Sequence, residues 1–358
     1  MKQWLLGAAM IVAAVSASAQ APAQAPAQAP AQAPAQAPAQ DRVRLEVYST
    51  LEIENLNDFK KSFEAENPDL EILWNRDSTG VLTARILAEQ SVQRADAIWG
   101  LAVTSMLLLD KRGLLEPYAP KNLAAIKPAF RDSASPPAWV GMEAWVAAVC
   151  FNTVEAAKLG LAKPVSWFDL TDPRLKGKII MPHPASSGTG YFHVSAWIQM
   201  FGEAKAWEFM DKLHDNIAVY EHSGTRPCRQ AAAGEFPLGI SYELAAASAR
   251  QKGAPIEGLV MKEGGGWDMD AAAILRGTKK PEAVRRLMDF ASSRKANELY
   301  ASFVSQVAMP GIASNIPDYP AGVADSMIKN DFAWASANRT RILEEWARRY
   351  DGKAAKKN

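Results

Sequence analysis

The sequence predicts an α/β protein of two lobes, each a mainly parallel sheet flanked by helices, with a cleft between them. Three observations predict it. Strand and helix signals alternate from Arg44 to Gly113, the pattern of parallel strands joined by crossover helices. Roughly 318 residues follow Gln40, enough for two separate cores. Two stretches then interrupt the alternation: the long apolar run Trp145–Asn152 and the glycine run Gly264-Gly265-Gly266. They read as an outward and a return crossing between lobes.

Ahead of the globular part, residues 1–19 have the layout of a secretory leader. Lys2 is the only charge, Trp4–Val15 is apolar, and Ala17-Ser18-Ala19 offers a cleavage site before Gln20. The apolar core is too short for a stable membrane anchor, and no cysteine stands near the cleavage site to take a lipid. Residues 20–40 repeat Ala-Pro-Ala-Gln, where proline at every fourth position blocks helix and sheet, so they form an extended spacer. Lys2 is the only charged residue before Asp41, so the mature chain carries 39 acidic groups and as many basic ones. That balance argues against nucleic acid or an anionic membrane as the main partner. In an oxidising compartment Cys150 and Cys228 are expected to pair. The bond would close a loop of roughly 79 residues, worth up to ~4.5 kcal/mol by chain entropy before strain.

Along the chain, Arg44–Ser49 alternates apolar and polar residues as a strand, and Asn55–Glu66 puts Leu56, Phe59 and Phe63 on one helical face. Leu70–Trp74 and Ala95–Trp99 are further strands, each followed by a helix, from Val81 to about Gln90 and from Val103 to Lys111. The second lobe supplies a strand at Lys178–Ile180, helices through Phe201 and over Glu203–Leu213, and a strand at Pro237–Ser241. The return brings a strand at Ala271–Leu275 and helices at Pro281–Ser292, Arg294–Phe303 and Asn338–Tyr350. The expected division is 41–145 and 267–320 for lobe 1, 146–263 for lobe 2, and 321–358 for C-terminal helices. In such sheets ligands gather at the carboxyl ends of strands. Here those ends are Ser49-Thr50, Asp77-Ser78-Thr79 and Trp99-Gly100.

Ser186-Ser187-Gly188-Thr189-Gly190 sits where a strand turns into a helix. A helix start leaves N–H groups unpaired and carries partial positive charge, so it receives anions. Ser187 or Thr189 would equally serve as a plain N-cap. The spacing is not that of a nucleotide-binding loop.

The chain resembles the periplasmic solute-binding proteins of ABC importers, in the branch that includes the ferric-iron-binding proteins. Within that branch it is similar to the 2-aminoethylphosphonate-binding proteins. The residues that carry this are Val47–Glu52, Arg76–Gly80, Ala95–Gly100, Pro136–Met142, Pro182–Gly190, His222-Ser223-Gly224, Gly234–Pro237, Gly266-Trp267-Asp268 and Lys329–Trp334. The resemblance implies the two-lobed periplasmic-binding-protein fold of type II and location in the periplasm. It also implies a monomer that hands a small ligand to permease subunits, with no cofactor. Ferric-binding relatives hold iron through adjacent tyrosines beside a bound anion. Here that place reads Ser241-Tyr242-Glu243, and Glu52 stands where a histidine ligand would be. Ferric iron with a synergistic anion is therefore the competing ligand, and no metal site is expected.

A phosphonate with an ammonium tail needs donors at one end and acceptors a few ångströms away. The resemblance assigns the donors to Thr50, Thr79, Ser187, Gly188, Thr189 and Ser223. No lysine or arginine is expected among them. About four or five such bonds, at roughly 1.5–3 kcal/mol each to a charged group, support a micromolar complex near −8 kcal/mol after binding costs. Glu243 with Tyr242, then Asp268, and Glu52 are the candidates for the ammonium, with Trp99 or Trp267 as a cation–π face. Each has a structural alternative: Glu52 complements a helix dipole, Asp268 caps a segment, and Tyr242, Trp99 and Trp267 pack. His183, His193, His214 and His222 show no metal spacing, and Ser187 is not in a nucleophile elbow. No catalytic residue is expected, and an exported phosphoester or phosphonate hydrolase is the remaining alternative.

Overall fold

The computed structural model describes residues 42–356, so the leader and spacer lie outside the described residues. In chain order the first elements are β1 (Val43–Ser49), α1 (Ile53–Glu66), β2 (Leu70–Arg76), α2 (Thr79–Ala88), β3 (Ala97–Ala102), α3 (Val103–Lys111) and β4 (Leu115–Glu116). Next come β5 (Val140–Asn152), α4 (Thr153–Lys158), β6 (Ile179–Pro182), α5 (Gly188–Phe201), α6 (Glu203–Asn216), β7 (Ile217–Glu221) and α7 (Arg226–Ala232). They lead to β8 (Leu238–Tyr242), α8 (Glu243–Gln251), β9 (Ile256–Leu259) and β10 (Trp267–Leu275). The chain closes with α9 (Pro281–Ala291), α10 (Arg294–Tyr300), β11 (Gln306–Val307), α11 (Val323–Ser326) and α12 (Phe332–Tyr350).

This is a two-lobed α/β fold of the periplasmic-binding-protein type. Strands follow the order β2-β1-β3-β10-β5-β8-β6-β7. Pairing is parallel within β2-β1-β3 and within β7-β6-β8. The two crossing strands, β5 and β10, pair antiparallel to their neighbours and to each other, so the sheets are mixed rather than mainly parallel. The reason is connectivity: β5 leaves one lobe for the other and β10 returns, so they run in opposite directions. The first half of β5, through Val146, pairs with β10, and the second half, from Ala147, pairs with β8.

Strand alternation places two cores on the first lobe. Val47 and Trp99 face a cluster with Phe59, Phe63 and Tyr300, while Tyr48 and Ile98 face one with Leu82, Met106 and Leu109. A third core, around Trp167, Trp197, Phe209 and Ile240, fills the second lobe, and α12 adds Ala335, Ile342 and Trp346 to it. That helix begins six residues before the expected Asn338, because Asp331 caps it by accepting the N–H of Trp334 at 2.8 Å. Gly264–Gly266 is packed rather than slack. A Cβ on Gly266 would lie 2.5 Å from the Cβ of Ala196, and Gly265 donates to Ser326 O at 2.7 Å. Cys150 on β5 and Cys228 on α7 form a disulfide.

Candidate functional site

The cleft between the lobes is lined by the carboxyl ends of strands and the starts of helices. Counting its open mouth it encloses about 600 Å³. One wall is a cradle of neutral donors. Ser187 caps α5 by accepting the N–H of Gly190, which leaves the N–H groups of Gly188 and Thr189 with no carbonyl to bond inside the helix. Thr79 opens α2 from the other lobe, and its Oγ1 lies 2.5 Å from where a Cβ of Gly188 would stand. Gly224 approaches Thr189 as closely, so only glycine at 188 and 224 lets these hydroxyls converge. Thr50, Thr79, Ser187, Gly188, Thr189 and Ser223 all line the cleft. The disulfide ties α7, which follows the Ser223-Gly224 turn, to β5.

The lobes touch at the rim of this cradle. Gly80 N donates to Ser186 O at 2.9 Å, and Ser78 Oγ donates to His222 O at 3.1 Å. Tyr242 OH donates to Glu52 Oε1 at 3.3 Å. These bonds join residues on opposite sides of the cleft, so the arrangement is closed.

The opposite wall is acidic. Glu52, Glu143 and Asp270 line the cleft beside Trp145 and Asn55. Glu143 on β5 and Asp270 on β10 are directly paired across the two crossing strands and are 2% and 6% exposed. Burial, then the neighbouring Asp270 charge, holds the Glu143 carboxyl well above the usual range. Burial also pushes Asp270 up to about 6. Thr50 Oγ1 lies 3.3 Å from Asp270 Oδ1 and 3.1 Å from Gly100 O. Arg76, at the end of β2, also lines the cleft, which corrects the expectation of a site free of basic side chains. Its Nη2 stands 3.2 Å from Glu52 Oε1 and its Nε donates to Leu51 O, so much of its charge is met within the wall.

Four of the candidates for the ammonium do not face the cleft. Glu243 is fully buried behind it, accepting from Val146 N at 2.7 Å and from Tyr319 OH at 2.9 Å. As the first residue of α8 it follows Tyr242 by one position, and neighbours at a strand end point to opposite sides. Asp268 caps α3 from β10, accepting from Val103 N, Thr104 Oγ1 and Met269 N at 2.7–3.1 Å. Burial pushes both carboxyls up to about 7. Trp99 is fully buried, stacked on Phe59 and donating to Tyr300 OH. Trp267 likewise packs on Phe332 and donates to Ile328 O. Glu52 and Tyr242 do reach the cleft, and burial followed by the Glu52 charge raises the Tyr242 hydroxyl well above its ordinary value.

A two-lobed fold closed on a polar cleft is the architecture of a solute-binding protein, and the chain belongs to the bacterial extracellular solute-binding protein family, matched over residues 101–337. A Haemophilus influenzae protein is 32% identical over 237 residues, covering 65% of this chain and 68% of that one. A probable ABC transporter periplasmic-binding protein of Sinorhizobium fredii is 23% identical over 235 residues, 64% of each chain. Among solved structures, the periplasmic binding protein AfuA of Actinobacillus pleuropneumoniae, with fructose-6-phosphate bound, superposes with a TM-score of 0.80. It is 31% identical, over 86% of this chain and 98% of AfuA. Binding proteins of this family deliver small ligands to ABC permeases.

Proposed function

We propose that this protein captures 2-aminoethylphosphonate outside the cytoplasmic membrane and delivers it to an ABC permease. One observation carries the reading: a cradle of uncharged donors from both lobes faces a wall of carboxylates across a small closed cleft. An oxyanion fits the first, since hydroxyl and helix-start donors are oriented and already desolvated. A cation fits the second. Thr79, Ser187, Gly188, Thr189 and Ser223, with Thr50 at the border, are assigned to the phosphonate. Glu143, Asp270 and Glu52, with Tyr242, are assigned to the ammonium.

The likeness to AfuA favours a second reading, a sugar phosphate whose hydroxyls donate to the same carboxylates. A thermal-shift screen separates the two. On the preferred reading 2-aminoethylphosphonate raises the melting temperature more than ethylphosphonate, phosphate, fructose 6-phosphate or ferric citrate. A larger shift with fructose 6-phosphate replaces it by the sugar-phosphate reading, and a coloured ferric complex replaces it by iron.

A further inference from the structure

Every acid around the cleft has its partners except one pair. Glu52 is met by Arg76 and Tyr242, Asp268 by three donors, and Glu243 by a backbone N–H and a tyrosine hydroxyl. Glu143 and Asp270 face each other across β5 and β10 with only the Thr50 hydroxyl beside them. Glu143 Oε2 is buried and has no partner among the described protein atoms. A bare carboxylate oxygen in that place is costly, whereas a protonated carboxyl donating to Asp270 is satisfied.

We propose that the Glu143–Asp270 pair is a proton-exchanging receptor for a primary ammonium: the empty pair holds a proton that the entering ammonium displaces to solvent. The inference rests on the reading of the ligand as an aminophosphonate. In the exchange a carboxyl O–H bond breaks, its proton passes to water, and an ammonium N–H donates to the freed oxygen. No other bond changes. The surroundings favour protonation of the empty pair. Glu52 before α1 adds negative charge toward it, Glu243 on α8 and Asp268 two residues along β10 are pushed up to about 7 by burial and so are mostly neutral in mildly acid solution, and Tyr300 on α10 is a neutral neighbour. Arg76, the cation in the cleft wall, is bound to Glu52. Burial pushes Asp270 up to about 6 and holds Glu143 well above the usual range, so below about pH 6 both carboxyls of the empty pair carry protons; Glu143 keeps its own when the ligand binds, and Asp270 gives one up to the entering ammonium.

Calorimetric titration of the mature protein in two buffers of different ionisation enthalpy counts the protons released. 2-Aminoethylphosphonate titrated into Asp270→Asn is the reference, because it carries the identical headgroup titration; ethylphosphonate does not, since without the ammonium its phosphonate is less acidic. At pH 5.5 the ligand is expected to release most of one proton more from the unaltered protein than from the variant, a difference that vanishes by pH 8. Its affinity for the unaltered protein relative to the variant should fall about tenfold from pH 7 to pH 5. Asp270→Ser is the second reference if the first variant does not fold. Equal proton counts for the two proteins at both pH values overturn the proposal. If 2-aminoethylphosphonate does not bind at all, the functional reading fails separately, and carboxyl carbon NMR of the ligand-free protein decides the pair. Asp270 titrating near 6 with Glu143 above it supports the shared proton; both groups ionised below about 5 overturn it.

Discussion

A methyl group on Gly80 would land 2.0 Å from the carbonyl oxygen of Ala185 and 2.8 Å from the Cα of Ser186, both on the facing lobe. Nothing on its own lobe comes nearer, and Gly80 is the second residue of α2, where alanine is a better helix former by up to ~1 kcal/mol. Gly80→Ala therefore leaves the open protein as stable or more so, while the closed form is penalised. Closure would lose the Gly80 N to Ser186 O bond, about 0.5–1.5 kcal/mol, and suffer an overlap with backbone atoms costing about 1–3 kcal/mol. The sum, about 1.5–4.5 kcal/mol, falls wholly on ligand binding, because only the closed form makes contacts from both lobes. Affinity should drop roughly 10- to 2,000-fold. The assay pairs calorimetry with a melting curve of the ligand-free protein, and small-angle scattering should show no compaction on ligand addition. An unchanged affinity with an unchanged melting temperature would refute the argument that this contact forms on closure.

Other expectations follow from the same geometry. Asp268→Asn should lower the melting temperature, at a cost of about 1–3 kcal/mol for the disturbed α3 cap, with ligand affinity changed less than threefold by calorimetry. Ser187→Ala should weaken phosphonates with and without an amine alike, by about 1–2 kcal/mol, measured as parallel losses in affinity. Asp270, Glu243 and Asp268 are raised to about 6, 7 and 7 by burial, so the folded state binds more protons than the unfolded one above about pH 4. Their contribution to stability is full below that pH and is lost as pH rises through 6–7. The ligand-free melting temperature should thus fall from pH 5 to pH 8, and fall less in Asp270→Asn.

Strand ends and helix starts announced half of the site. Thr50 and Thr79 follow β1 and β2, and Ser187–Thr189 follow β6, where a sheet with crossover helices gathers ligands, and all of them line the cleft. Glu143 and Asp270 were hidden because they sit inside apolar strands, as Met142-Glu143-Ala144 and Met269-Asp270-Ala271, with every flanking residue buried. Acids inside the crossing strands, Glu143 in β5 and Asp268 and Asp270 in β10, were the available signal; only the antiparallel register of β5 and β10 brings Glu143 and Asp270 together. Asp268 misled for a similar reason, since the helix start that it caps lies 165 residues earlier in the chain. Arg76 belonged to a motif whose hydroxyls drew the attention, and its direction depended on strand β2 running two residues beyond Trp74.

A crystal structure of the complex with 2-aminoethylphosphonate tests the central assignment most directly. The account predicts the phosphonate oxygens within hydrogen-bond distance of Gly188 N, Thr189 N and the Thr79 and Ser223 hydroxyls, and the ammonium nitrogen within that distance of Asp270 or Glu143. A ligand bound in the reverse direction, or outside this cleft, would contradict it.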